Sequence, residues 1–168
     1  MTVFTEALQV WIAAVEEGYF GSPAWVPWAE RALQSATPVP PWLVDLCYAA
    51  DAGSALPLLY AGLDSLSRMD EVARAGDLTA LRLGMSWLRY ERGELSLEQL
   101  LSHAGDIADR ANYDSPSCEA FYALLNDVEG GFPAGPACAP GAVEATRLLA
   151  PHAALARTGL LRILVGNS

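Results

Sequence analysis

The sequence predicts an all-α fold, an irregular bundle or helical-hairpin array of seven to eight helices. Three observations carry this. Apolar residues return at steps of three and four through most of the chain, which lines one face of a helix. Capping and stop residues bracket those segments. No run reads convincingly as a strand, since Ile163-Leu164-Val165, the one short β-branched stretch, fits the end of the last helix better. With 168 residues, 52% apolar and 18% charged, the chain has enough material for a single helical domain over 1–168 with a real core, and is too apolar for disorder.

The first helix is expected over about 3–17, where Phe4, Ala7, Leu8, Trp11, Ile12 and Val15 form a stripe and Gly18 supplies the stop. Ser22-Pro23 then reads as a cap with proline at the first helical position. The second helix runs to about Ser35, and Pro27 either restarts it or confines it to 27–35. Pro38-Val39-Pro40-Pro41 is a rigid connector. It leads into a third helix, Trp42 to Tyr48, apolar nearly all round and therefore expected at the centre, where Asp45 would need a partner. Ser54 is expected to cap the fourth, with Leu56, Leu59, Tyr60 and Leu63 inward. Residues 66–76 read as either a short helix or a loop.

The fifth helix is expected from Asp77 to Gly93. Leu78, Leu81, Met85 and Leu88 make one apolar face, and Leu83, Trp87 and Tyr90 a second. Arg82, Ser86 and Arg89 form a polar strip between them, so the helix is sandwiched. Ser96 with Gln99 is a capping box opening the sixth helix. Its stripe is Leu97, Leu100, Leu101, Ala104, Ile107, Ala108 and Ala111, opposite Glu98, Ser102, Asp106 and Asp109. Ser115-Pro116 opens the seventh, with Phe121, Leu124, Leu125 and Val128 inward. A Gly/Pro-rich loop follows at 130–141, then a last helical region over about 142–165 that Pro151 breaks or kinks.

Composition excludes whole classes of chemistry. There is no lysine, so no Walker-A lysine, no Schiff-base lysine and no Ser–Lys dyad. A GC-rich genome is the ordinary cause of such a bias. A net charge of -10 offers no basic face for phosphates, so no nucleic-acid partner is expected. The apolar stretches fall short of the ~20 residues of a bilayer span. The first charge is Glu6, so no secretory signal is read, no membrane role is expected and the location is expected to be cytoplasmic. Cys47, Cys118 and Cys138, an odd set with no CxxC, read as reduced thiols.

Candidate sites are few. His103-x-x-Asp106-x-x-Asp109 could supply metal ligands, but steps of three drift around a helix, and neither a second Glu-x-x-His nor a His-Glu-x-x-His is present. A solvated acidic face is the better reading, with no metal and no cofactor. His152 has no acid near it in sequence and reads as a packed or surface histidine rather than a base. No nucleophile-elbow or dinucleotide-binding glycine motif occurs. Trp11, Trp25, Trp28, Trp42 and Trp87 read mainly as core, with Trp25 the one that exposure near Phe20-Gly21-Ser22-Pro23 could turn into a partner anchor.

Charge placement is the functional signal. Residues 1–67 hold seven acids and only Arg31; residues 93–129 hold eight acids and only Arg110. The second block lies largely opposite a clean apolar stripe, so Glu94, Glu98, Asp106, Asp109, Asp114 and Glu119 are the candidate partner-binding residues, facing a basic protein. Separately, Trp28-Ala29-Glu30, Leu33 and Pro40-Pro41-Trp42-Leu43-Val44-Asp45-Leu46 resemble a pattern in small all-helical immunity proteins of bacterial polymorphic-toxin systems. There a Trp-Ala-acid helix precedes a Pro-Pro-x-Trp-Leu-[IV]-[DE]-Leu helix. The resemblance covers residues 28–46 of 168. It implies a cytoplasmic, non-catalytic protein that neutralises a cognate toxin, and it assigns no binding residues. Two other classes stand beside it. A helical adaptor or scaffold would show a groove lined by exposed aromatics. An enzyme would require His103 or His152 to meet acids in a pocket.

Overall fold

The computed structural model describes residues 2–21, 23–66, 71–112, 116–130 and 140–165. Among them are eight α-helices and no strand: α1 (Thr2–Glu16), α2 (Val26–Ser35), α3 (Pro41–Tyr48), α4 (Ala52–Leu66), α5 (Glu71–Glu91), α6 (Leu97–Arg110), α7 (Cys118–Glu129) and α8 (Pro140–Val165). The fold is all-α. Its residues group into two compact units, Met1–Glu71 with Thr158–Ser168, and Val72–Arg157. The expected cap residues Ser22 and Ser115, part of the ambiguous 66–76 segment and residues 131–139 of the expected loop lie outside the described residues. Gly130 caps α7, and α8 begins at Pro140.

In the first unit, α1 is the enclosed helix. Leu8 through Val15 are all buried, as are Thr5, Gln9 and Glu17. The chain leaves α1 through a Schellman turn, in which the Gly18 N–H donates to the Val15 carbonyl at 3.1 Å and the Tyr19 N–H to the Ala14 carbonyl at 2.8 Å. Gly18 has φ 62°, a conformation that favours glycine. α1 packs on α4, whose buried face is Ala55, Leu59, Gly62 and Leu63. Tyr60, expected inward, is 36% exposed and its hydroxyl donates to the Glu16 carboxylate. Ser54 occupies the third position of α4 rather than its cap. Asp51 caps the helix, its carboxylate accepting the Ser54 N–H at 2.8 Å.

The expectation of a central α3 is corrected. Trp42, Leu43 and Leu46 are buried against α2 and α4, while Asp45 and its neighbours on the opposite face are exposed. Asp45 therefore needs no buried partner. Trp25 faces inward with the other tryptophans: it is 3% exposed, all five belong to the core, and the partner-anchor alternative for it falls away. Phe4, Trp11, Phe20, Trp28 and Trp42 form a continuous aromatic cluster with ring centroids 5.4–6.1 Å apart.

In the second unit, α5 begins at Glu71, six residues before the expected Asp77, and runs without interruption to Glu91. Gly93, with φ 74°, ends it in a second Schellman turn: its N–H donates to the Tyr90 carbonyl and the Glu94 N–H to the Arg89 carbonyl. Burial covers Thr79 to Leu81 and Leu83 to Leu88, so most of both expected apolar faces of α5 is enclosed, with Leu78 and Tyr90 half-buried. Ser86, expected on a polar strip, is fully buried. Backbones close tightly here, since a Cβ on Gly84 would lie 2.2 Å from the His152 carbonyl oxygen of α8. The Arg157–Glu91 ion pair also joins α8 to α5.

α8 is continuous through Pro151, so that proline does not end the helix. The proline leaves the Arg147 carbonyl without its usual helical donor. Among the described residues, Gly141–Val165 is long and apolar enough to cross a membrane by length and composition alone; its most apolar window has mean hydropathy 1.3 and is 33% buried within the fold.

Candidate partner-binding face

The face is built by α6 and α7, which pack on each other. The capping box fixes where α6 starts: the Ser96 N–H donates to the Gln99 side-chain oxygen at 2.8 Å, and the Gln99 N–H to the Ser96 hydroxyl at 3.1 Å. With the start fixed, the helical period directs each side chain. Leu100, Leu101, Ala104, Gly105, Ile107 and Ala108 are buried; Glu98, Ser102, Asp106 and Asp109 are exposed on the other side. Leu97 is half-buried and Ala111 exposed, so the stripe is shorter at both ends than expected.

α7 starts after Ser117, with Phe121 buried and Leu124, Leu125 and Val128 half-buried. Gly105 lets it come close, because a Cβ there would lie 2.5 Å from the Tyr122 ring. The Tyr122 hydroxyl donates to the Asp106 carboxylate at 2.9 Å. That bond to a carboxylate is the main reason its phenol is held above the usual range, with desolvation next. The Cys118 thiol lies 3.8 Å from an Asp109 oxygen. Desolvation first, then the Glu119 carboxylate, push the thiol pKa up, so Cys118 is kept protonated rather than activated. Glu119 lies in the first turn of α7. Its own backbone N–H, then the Ser117 hydroxyl, hold its carboxyl below the usual range.

An open groove of about 500 Å³ runs along this face, lined by Arg89, Leu95, Glu98, Gln99, Ser102, His103, Asp106, Leu125 and Glu129. It brings together Glu98 and Asp106 of the candidate set and adds Glu129. Asp109 and Glu119 are exposed beside Cys118, as its contacts show. Asp114 lies outside the described residues. Glu94 is paired with two arginines of α5 and the turn after it: Arg89 reaches it at 3.0 Å and Arg92 at 2.8 Å. Both arginines precede the acidic block in sequence, and a charge count starting at residue 93 misses them. Glu129 was visible in the block; its place in the groove depends on how α7 lies against α6.

His103 is half-buried and shares the groove with three carboxylates, the arrangement an enzymatic reading requires of it. Among the described residues, no three His, Cys, Asp or Glu side chains gather as a metal-ligand set. His152 lies elsewhere, half-buried on α8, where burial pushes its pKa below the ordinary value of 6.5. The unfolded chain therefore takes up this proton first as pH falls. The stability that His152 contributes is present above about pH 6.5 and is lost as pH falls from there through the lower folded value. Urea midpoints measured from pH 7.5 down should fall through this window, and His152→Gln should flatten that part of the curve. An unchanged slope in the variant would assign the loss to other groups.

No family model matches the chain, and no curated protein or solved structure matches it either.

Proposed function

We propose that the protein is a non-catalytic binding protein that engages a basic protein partner through the α6–α7 face, and that this partner is a cognate bacterial toxin which it neutralises in the cytoplasm. The observation that carries the reading is the groove itself. Glu98, Asp106 and Glu129 line it, and its one arginine, Arg89, is already paired with Glu94. Such a surface attracts a cationic cleft at long range, speeding encounter and selecting the partner. The Trp28–Leu46 resemblance to immunity proteins supplies the class of partner. Its residues Trp28, Ala29, Trp42, Leu43 and Leu46 are buried, which suits a scaffold that presents a binding face formed elsewhere.

The test is co-purification with the product of the neighbouring upstream gene, at low and high salt. Asp106→Arg with Asp109→Arg should weaken binding about 100-fold or more, the scale at which opposed like charges act. Complex that survives this reversal would exclude the face. A second reading, a helical adaptor, keeps support from exposed large apolar side chains; among the described residues Tyr48, at 83%, is the most exposed of these, although the groove itself has no aromatic lining.

A further inference from the structure

α3 is apolar on both sides, and only one side is used by the fold. Trp42, Leu43 and Leu46 turn inward. Pro41, Val44, Asp45 and Tyr48 are exposed, at helical steps that place them on one stripe. Val44 is 38% exposed and Tyr48 83%, on a helix whose other large residues are buried or half-buried. Tyrosine is among the residue types that most often anchor protein interfaces, and Val44 extends the apolar surface beside it.

The surroundings fix the charge of what would cover it. Asp45 stands on the same face. Asp51 follows Tyr48 by three residues, exposed, with its carboxylate held by the Ser54 N–H and hydroxyl. Glu30 of α2 is near enough to Cys47 to help raise its thiol pKa, after burial. Arg31, the one arginine of the first 66 residues, is committed to the Ile163 carbonyl at 3.1 Å. The apolar stripe thus carries one carboxylate, Asp45, with further negative charge from Asp51 just beyond the helix end.

We propose that the outer face of α3, built on Val44 and Tyr48 and carrying Asp45, docks an arginine-bearing segment of a basic protein partner. Arginine meets both parts of the surface. Its planar guanidinium stacks on a phenol ring while its edge pairs with a carboxylate. A second copy of this chain would bring the like-charged Asp45 and Asp51 to the contact, so the charge favours a different protein. The inference does not rest on the α6–α7 reading, because its residues all belong to the first unit.

The test uses the full chain, isotope-labelled, with a fluorescein-labelled peptide of alternating arginine and leucine as the probe. Amide shifts should cluster at residues 44–49. Tyr48→Ser should weaken the peptide about fivefold, the size of one exposed aromatic–cation contact, and Val44→Ser should weaken it less. A peptide of alternating glutamate and leucine should not bind. Because both side chains are exposed, the far-ultraviolet circular dichroism of the variants should match wild type. Four outcomes would overturn the inference: no binding, unchanged affinity in Tyr48→Ser, shifts confined to residues 98–109, or dimerisation of the chain lost in Tyr48→Ser. Shifts confined to 98–109 would leave the α6–α7 reading standing.

Discussion

Gly84→Ala should destabilise the protein by about 3 kcal/mol, the upper part of the usual range for overpacking. The added Cβ would lie 2.2 Å from the His152 carbonyl oxygen, 2.7 Å from its carbon and 2.8 Å from the Ala156 Cβ. Two of those three atoms are backbone, and no rotamer change relieves the clash. α5 and α8 would have to separate, and they do so at a point where Leu83, Met85, Ala153 and Ala156 are buried. The sign is what makes the result decisive. In a helix interior, alanine is favoured over glycine by about 1 kcal/mol, so without the close approach the substitution would stabilise. Gly53, exposed in the first turn of α4 with only the Asp51 carboxylate at 3.4 Å, is the control, and Gly53→Ala should be neutral or slightly stabilising. Urea midpoints of the two variants check the pair. A Gly84→Ala protein as stable as wild type would mean that the helices part there at little cost.

α6 was the most legible element, and the reason is physical. It has one buried stripe, one solvated face and a cap whose two partners lie three residues apart, so local sequence holds all the information its placement needs. α3 was misplaced because eight residues make barely two turns. On so short an apolar helix the inward and outward faces look alike, and the choice falls to the neighbours α2 and α4. α1 shows the reverse. Its stripe was read, but Gln9 and Glu17 are polar letters that end up buried, which hid how fully the helix is enclosed. α5 was begun late because Gly76-Asp77 resembles a start, although a helix already under way passes through such a pair at modest cost. The acidic face was legible as a charge block with a period. That Arg89 and Arg92 turn back onto Glu94 depends on the Schellman turn at Gly93, which folds the chain beyond α5 towards its own last turn.

Trp11→Ala should cost about 4 kcal/mol, as for other fully buried aromatics, whereas Trp11→Phe should cost about 1 kcal/mol. Trp11 has no exposed surface, and its ring lies 5.4 Å from Phe20 and 6.1 Å from Trp28. Alanine removes the ring and leaves a cavity among rigid aromatic neighbours that cannot collapse into it. Phenylalanine leaves a smaller void and keeps a ring against Phe20. It also removes the indole N–H, which is buried with no hydrogen-bond partner among the described residues. Shedding such a donor recovers part of the lost packing, because an unsatisfied buried group costs about 1–3 kcal/mol. Equal losses in the two variants would show that ring contact contributes little and that volume alone holds the cluster. The cluster continues from Trp11 through Trp28 and Phe4 to Trp42, which seats α3. Trp11→Ala should therefore lower stability and loosen the peptide site together, while Tyr48→Ser lowers binding at unchanged stability. That contrast separates the inner face of α3, which belongs to the scaffold, from its outer face, which the fold leaves for a partner.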